Sequence, residues 1–142
     1  MHYLHTKENA RCYCIGLRRA SNVVTSYYDK MLAPSLLTVS QYSILNNLFH
    51  IAPCTVSDLA KKLRIERTTL IRNLKPLKAL GYVEDLSLPG KRNCQLQITE
   101  TGLEHYRQAV PLWQQAQATL QQEIGLDTLT HLNEVLQQLA GL

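Results

Sequence analysis

A cluster of basic side chains in the middle of the chain carries the strongest chemical signal. Between Thr55 and Tyr82 there are seven lysines and arginines against two acids, a net charge of +5. The segment from Thr99 to the end has five acids against one arginine, a net charge of −4. This asymmetry favours a polyanionic partner for the middle of the chain. The alternative is the solvated face of an ordinary helix.

Within this basic segment, cations and short polar groups share one predicted helix with an aliphatic stripe of Leu70, Leu74 and Leu77. Arginine and asparagine suit paired hydrogen bonds to base edges, whereas lysine and threonine suit phosphates or methyl groups. Lysine and arginine at the tip of a following hairpin can enter a minor groove. The candidate DNA-binding residues are Arg67, Thr68, Thr69, Arg72, Asn73, Lys75, Lys91 and Arg92.

Hydrophobic periodicity predicts the elements that must position these side chains. Four helices are expected first, at residues 9–32, 38–52, 55–63 and 66–80. Pro34 and Pro53 end the first two helices, and threonines that begin the second and third are expected to cap them. Pro76 lies inside the fourth helix, where a bend is expected.

A hairpin and two more helices follow. Strands are expected at 82–87 and 94–98, with Pro89-Gly90 at the centre of a type II turn. A long helix should begin at Thr99, and a last helix, capped by Asp127, carries a leucine stripe. The fold class is therefore mainly α with a small β-hairpin wing, a winged helix-turn-helix with terminal helices.

The motifs are specific enough to indicate a family. Residues 55–81, TVSDLAKKLRIERTTLIRNLKPLKALG, and then LQITETG resemble the multiple antibiotic resistance regulator (MarR) family of bacterial transcription factors. The resemblance covers essentially the whole chain. It implies an obligate homodimer with an interface of N- and C-terminal helices and two winged domains that read a pseudo-palindromic operator in double-stranded DNA. It also implies a repressor that a small phenolic ligand or cysteine oxidation releases.

Two positions depart from the family pattern. The family often has an aspartate two residues before the wing arginine, and here Gly90 stands at that place before Arg92. Glu66 occupies the usual position of an aspartate cap before the recognition helix, and its longer side chain caps less well. We therefore expect Arg72 to contribute more to DNA binding than Arg92.

The dimer has a basis in the apolar pattern as well. Residues 35–100 are expected to form the winged DNA-binding core, and residues 1–34 and 101–142 an integrated helical dimerisation region. A monomer would leave part of the terminal stripes exposed to water. Symmetric pairing would cover them and separate two recognition helices by about 34 Å, one turn of DNA. The alternative is a monomer that packs these stripes internally.

Three cysteines are redox candidates. Cys54 precedes a helix N-terminus, where the dipole would lower its pKa if the thiol were exposed. Cys12 and Cys14 are expected to point to different sides of the first helix, so a disulfide between them would need fraying. Structural roles are the alternative for all three. The histidines are isolated in sequence, and we predict no metal site and no cofactor.

Four aromatic residues, Tyr27, Tyr28, Tyr42 and Phe49, are candidates to line a small-molecule effector pocket between the core and the terminal helices, with core packing as the alternative. The chain has no CxxC, HExxH or glycine-rich phosphate loop, so an enzyme is not expected. A small thiol-dependent enzyme and a winged-helix interaction module without DNA binding remain alternatives. No signal peptide or membrane span is visible, which predicts a cytoplasmic protein.

Overall fold

The computed structural model describes residues 12–87 and 95–142. Within these ranges the chain forms six α-helices and a two-stranded sheet in the predicted order. The elements are α1 (Tyr13–Leu32), a 3-10 turn (Ala33–Ser35), α2 (Val39–Ile51), α3 (Val56–Leu63), α4 (Arg67–Ala79), β1 (Val83–Asp85), β2 (Leu96–Ile98), α5 (Glu100–Ile124) and α6 (Leu126–Ala140). The winged helix-turn-helix with flanking helices is therefore confirmed.

Helix α1 begins later than predicted. Cys12 is its N-terminal flanking residue and has extended backbone angles (φ −73°, ψ 116°), so a continuous helix from Asn9 through this residue is wrong. Asn9 itself lies outside the described residues. The prediction that Cys12 and Cys14 point to different sides of α1 assumed that both residues are helical. Because Cys12 is not helical, that assumption does not hold.

Side-chain caps fix the starts of α2 and α3. The predicted capping box is confirmed: Thr38 Oγ1 accepts from the Gln41 N–H at 3.2 Å, and Gln41 Oε1 accepts from the Thr38 N–H at 3.0 Å. Asp29 of α1 accepts from the first N–H of α2 at 2.8 Å. Thr55 caps α3 as predicted, with its Oγ1 accepting from the Asp58 N–H at 3.0 Å.

The core joins every element of the winged region. Its fully buried large side chains are leucines from α1 to β2, namely Leu32, Leu45, Leu48, Leu59, Leu70, Leu74, Leu77 and Leu96. On α2 the structure buries Leu48 and leaves the adjacent Phe49 half-exposed. Leu80 follows the buried leucines of α4 but is 52% exposed, because α4 ends at Ala79.

The sheet is shorter than predicted but includes an additional connection. β1 and β2 are antiparallel, with Val83 opposite Ile98 and Asp85 opposite Leu96. Cys54, in the loop between α2 and α3, forms a bridge with Leu96 through two backbone hydrogen bonds of 2.7 and 3.3 Å. The hairpin is therefore attached to the helical core along its second strand.

The long helix α5 connects the wing to α1. Tyr27 donates to the carbonyl of Ala116 at 2.8 Å, and Tyr28 donates to the side chain of Gln117. The helix is continuous through Pro111. Gln117, which interrupts the apolar seam in sequence, is thus a hydrogen-bond partner of α1.

Helix α6 has a different environment from the other helices, since none of its residues is buried. Leu132, Leu136 and Leu139 of the predicted stripe are each about two-fifths exposed. Asp127 lies in the first turn, but the helix has no side-chain cap, so its predicted capping role is wrong. No helix in the described part of the chain is long and apolar enough to cross a membrane.

Candidate nucleic-acid interface

Helix α4 presents two unlike faces, as the sequence predicted. One face is the buried leucine anchor, formed by Leu70, Leu74 and Leu77, each of which is at most 1% exposed. Candidate DNA-binding residues on the opposite side are open to solvent. Arg67, Thr68, Arg72 and Lys75 are exposed, and Thr69 and Asn73 are half-buried. The strip that would enter a groove is therefore not covered by the protein's own helices.

The start of α4 is electropositive. Glu66 is its N-cap residue, yet its side chain accepts no hydrogen bond from the first turn, and no acid lies in that turn. The unpaired N–H groups and the helix dipole thus add to the charge of Arg67. An anion such as a phosphate is favoured at this end of the helix.

Backbone geometry fixes the angle between α3 and α4. Arg64 is in the left-handed conformation (φ 56°, ψ 44°), and its N–H donates to Lys61 O at 3.2 Å. Ile65 N–H donates to Ala60 O at 3.1 Å. A non-glycine residue in this region costs about 1–2 kcal/mol. The Arg64 side chain is exposed at this turn.

The end of α4 is closed by a glycine, as predicted. Gly81 has φ +76°, its N–H donates to Lys78 O at 3.0 Å, and Tyr82 N–H donates to Leu77 O at 2.9 Å. This pair of bonds is the Schellman arrangement. Pro76 is exposed, and the helix runs continuously past it to Ala79.

Asp85 fastens the base of the hairpin. Its Oδ1 accepts from the Ser87 N–H at 2.8 Å and from the Gln95 N–H at 3.0 Å. The two strands are thereby held together where the described part of the wing ends. Lys91 and Arg92, the predicted wing contacts, lie outside the described residues.

The cations around α4 are not neutralised by ion pairs among the described residues. The salt bridge found there joins His131 to Glu134 at 3.5 Å, on α6. Residues 55–82 thus expose seven cations against two acids, Asp58 and Glu66, which leaves an excess of positive charge around α3 and α4. The exposed cations are Lys61, Lys62, Arg64, Arg67, Arg72, Lys75 and Lys78.

The cysteines separate into two environments. Cys54 is 6% exposed, and burial, together with the nearby Asp58 carboxylate, raises the pKa of its thiol. The expectation that helix α3 lowers this pKa is wrong, because its condition of an exposed thiol is not met. Cys12 and Cys14 are exposed and free. No cluster of potential metal ligands occurs in residues 12–87 or 95–142.

The four candidate effector residues lie in different environments. Tyr42 is 5% exposed and packs between Tyr106 and Trp113, with ring centroids 5.7 Å away in each case. Burial, and next the neighbouring Tyr106, raises the pKa of Tyr42 to about 12. For Tyr42 the alternative of core packing is thus the correct one.

The other three lie apart from it. Tyr27 borders an open groove on α1, while the Tyr28 ring meets the Tyr27 ring edge-on at 5.4 Å. The pKa of Tyr28 is raised by burial first and Tyr27 second. Phe49 lies on the surface of α2, and its ring centroid is 5.2 Å from that of Tyr106.

A larger groove lies between α1 and α6. It has a volume of about 960 Å³, and its walls include Tyr13, Ile15 and Leu17 on one side and Val135 and Leu139 on the other. Cys12 borders this groove, and Cys14 borders an adjoining one of about 600 Å³. Both grooves are open and predominantly apolar.

Three residues near the candidate interface were not identified as candidates from the sequence. Arg64 gives no sequence signal, because a left-handed arginine is uncommon. Asp85 was hidden within a predicted strand, although aspartate is unusual in strands. Ile71 is 50% exposed on α4. Its position outside the leucine spacing at 70, 74 and 77 was the available signal.

Comparison with known proteins supports this description. A family model described as MarR family matches residues 37–92. The structure of the M. tuberculosis transcriptional regulator MosR in complex with DNA is 32% identical, with coverage of 92% of this chain and 97% of that chain and a TM-score of 0.79. A search of curated proteins found no match.

Two further solved structures are similar. The transcriptional repressor CouR bound to p-coumaroyl-CoA is 25% identical, with 88% of each chain covered and a TM-score of 0.76. The oxidized form of E. coli MarR is 21% identical, covers 92% of this chain and 95% of that chain at a TM-score of 0.67, and shows the likeness of fold. This chain belongs to the MarR family of transcriptional regulators, because it is 32% identical to MosR over 92% of its length, matches the family model and exposes its recognition helix.

Proposed function

We propose that this regulator is a homodimeric repressor that binds a pseudo-palindromic operator in double-stranded DNA. The observation that carries the proposal is the outward strip of α4, with its exposed cations and polar groups held on a buried leucine anchor. A rigid helix with this surface suits the major groove, where base edges present a distinct pattern for each base pair. The wing residues Lys91 and Arg92 are proposed to contact the adjacent minor groove.

The terminal helices support a homodimer. Helix α6 buries none of its residues within one chain, and an apolar groove of about 960 Å³ lies open between it and α1. A second copy of the chain would cover both surfaces by the same contacts on each side of a two-fold axis. Residues 35–100 are thus proposed as the DNA-binding core, and residues 1–34 and 101–142 as the dimerisation region.

The DNA-binding role is tested with Arg72→Ala. An operator duplex is first recovered by selecting bound fragments of genomic DNA, and a random-sequence duplex of equal length serves as the reference. Loss of one base-reading arginine is expected to weaken operator binding by about 5- to 150-fold, equivalent to roughly 1–3 kcal/mol. Binding to the random duplex should change much less, because Arg72 is assigned to base contacts.

Arg107→Ala is the matched control. Arg107 is also an exposed arginine but lies on α5, outside the basic surface. It should leave operator binding and its salt dependence unchanged. Equal affinity of the wild-type protein for operator and random duplexes would contradict sequence-specific recognition. The absence of binding to either duplex would favour the interaction module without DNA binding. Unchanged operator affinity in Arg72→Ala would refute the role of that residue.

Release from the operator is proposed to follow from a change in the spacing of the two recognition helices. An effector that favours another spacing lowers DNA affinity by its differential binding to the two states. For a small-molecule effector, p-coumaroyl-CoA is a reasoned first probe, since the similar repressor CouR binds it. A concentration-dependent rise in Tm with loss of operator binding is expected if this chemistry is shared.

Thiol oxidation is the second proposed route. Cys12 and Cys14 are exposed and border the grooves that the second copy would cover. Peroxide converts one thiol to a sulfenic acid with release of water, and a second thiol then forms a disulfide with release of another water. Peroxide should lower the operator affinity of the wild-type protein but not of a Cys12→Ser/Cys14→Ser variant. Equal loss in both proteins would exclude these thiols as the sensor.

A further inference from the structure

An isoleucine interrupts the polar surface of the recognition helix. Ile71 is 50% exposed, although the leucines directly before and three residues after it are fully covered. Consecutive residues of a helix lie about 100° apart, so Ile71 lies on the flank of α4, between the buried face of Leu70 and Leu74 and the outward strip. Packing within the described chain therefore does not explain an isoleucine at this place.

The surroundings of Ile71 are positively charged. On a helix its neighbours are the residues three and four positions away, here Arg67, Thr68, Leu74 and Lys75. Both cations and the threonine are exposed, and neither cation has an ion pair among the described residues. Ile71 is thus a small apolar spot beside unneutralised positive charge.

This combination identifies the chemistry of the occupant. An apolar protein surface would need a wider hydrophobic patch than one side chain, and positive charge beside it would disfavour burial. Duplex DNA supplies phosphates for the cations and, in the major groove, a single kind of projecting methyl group, the C5-methyl of thymine. The charge and the apolar spot of α4 therefore have complementary partners on the same ligand.

We propose that Ile71 reads a thymine methyl group in each operator half-site and so determines specificity for a T·A pair. The proposal rests on the proposed function, because it requires α4 to enter the major groove. Arg67 and Lys75 would hold the helix on the backbone on either side, while Ile71 covers the methyl group. Discrimination then arises from removing the methyl and the isoleucine surface from water.

The test removes the methyl group from the DNA and the side chain from the protein. Each thymine of the operator is replaced in turn by deoxyuridine, which lacks only the C5-methyl. For wild-type protein, one position in each half-site should show an affinity loss of about fourfold, the value for burying one methyl group. Ile71→Ala should bind the unmodified operator at least as weakly as the wild-type protein binds the operator with deoxyuridine at that position. Deoxyuridine at that position should cause no further loss of affinity in Ile71→Ala.

Leu80→Ala is the control for removal of an exposed aliphatic side chain. Leu80 is 52% exposed at the end of the same helix, but it lies outside the outward strip. It should retain the full deoxyuridine effect. Uracil scanning of the wild-type protein needs no variant, so a folding defect of Ile71→Ala cannot obscure the result.

The outcomes separate this inference from the proposed function. If Arg72→Ala loses specific binding while no thymine position responds to uracil in the wild-type protein, the DNA-binding proposal holds and the role of Ile71 is overturned. An equal uracil effect in wild type and Ile71→Ala would also overturn it, since the methyl would then act independently of this side chain. Failure of the wild-type protein to discriminate operator from random duplex would remove both proposals.

Discussion

The junction between the wing and α5 depends on the absence of a side chain at Gly102. A Cβ atom placed there would lie 2.2 Å from the carbonyl oxygen of Tyr82 and 2.9 Å from two further backbone atoms of that residue. The Tyr82 carbonyl also accepts the Thr99 N–H at 3.1 Å, so it cannot turn aside without loss of this bond. Backbone must therefore shift if any larger residue occupies the position.

The size of the effect of Gly102→Ala follows from this contact. A Cβ rarely approaches another heavy atom below 3.0 Å, so at least 0.8 Å of movement is needed. Overpacking of this kind costs about 1–3 kcal/mol, and the preference of a helix for alanine over glycine returns about 0.5–1 kcal/mol. Because the clash is with backbone, the upper half of the first range applies. The net loss is then about 1–2.5 kcal/mol, which corresponds to a Tm lower by about 3–10 °C for a chain of this size.

Thermal unfolding followed by circular dichroism measures this effect. Thr101→Ala is the matched control, because Thr101 is exposed in the same helical turn and should change stability by less than about 0.5 kcal/mol. All proteins are compared at one concentration, since the proposed dimerisation would make the Tm depend on it. A Gly102→Ala protein as stable as Thr101→Ala would refute the close approach of α5 to Tyr82.

Three further predictions concern the wing, the thiols and the buried tyrosine. Asp85→Ala removes the acceptor of the Ser87 and Gln95 N–H groups and should weaken operator binding by about 3- to 10-fold. Asp85→Asn should retain more affinity because its Oδ1 still accepts. Equal loss in both variants would contradict a role for these two hydrogen bonds in DNA binding. Iodoacetamide at pH 7 followed by mass spectrometry should label Cys12 and Cys14 and leave Cys54 unmodified until the protein unfolds, whereas fast labelling of Cys54 would revive the thiol-enzyme alternative. The pKa of Tyr42 is raised from 10.0 to about 12, so the folded state keeps the tyrosine proton to a higher pH than the unfolded state does. The contribution of this group to the free energy of unfolding is therefore complete below pH 10 and is lost as pH rises to about 12. Denaturant unfolding at pH 9 and pH 11 should show the smaller dependence on pH for Tyr42→Phe, and an identical dependence in both proteins would contradict the shift.

Local sequence patterns predicted the recognition helix and the N-caps of α2 and α3 well. The spacing of Leu70, Leu74 and Leu77 defines the buried face by helical geometry, and the polar strip then follows on the other side. Thr38 and Thr55 predict where α2 and α3 begin, because their hydroxyls accept hydrogen bonds from N–H groups only three residues away. Such features depend on neighbours within one turn, and the sequence lists those neighbours in order.

The cysteines show where local patterns were insufficient. The reactivity of Cys54 depends on its exposure, and its exposure depends on a bridge to Leu96, which is 42 residues away in the chain. No pattern near Cys54 describes that contact. The same holds for Tyr42, whose neighbours Tyr106 and Trp113 come from a distant helix.

The amino-acid sequence thus determined the order of elements, the faces of the helices and the basic surface, because short-range hydrogen bonds and the helical repeat decide these properties. Only the tertiary structure decided that Cys54 is buried, that Gly102 meets the Tyr82 backbone, and that α6 is left without a covering partner in one chain. Burial is a property of the surfaces that surround a group, and those surfaces are contributed by segments remote in sequence. The assignment of Ile71 needed both kinds of information, its place on the helix and its exposure in the folded chain.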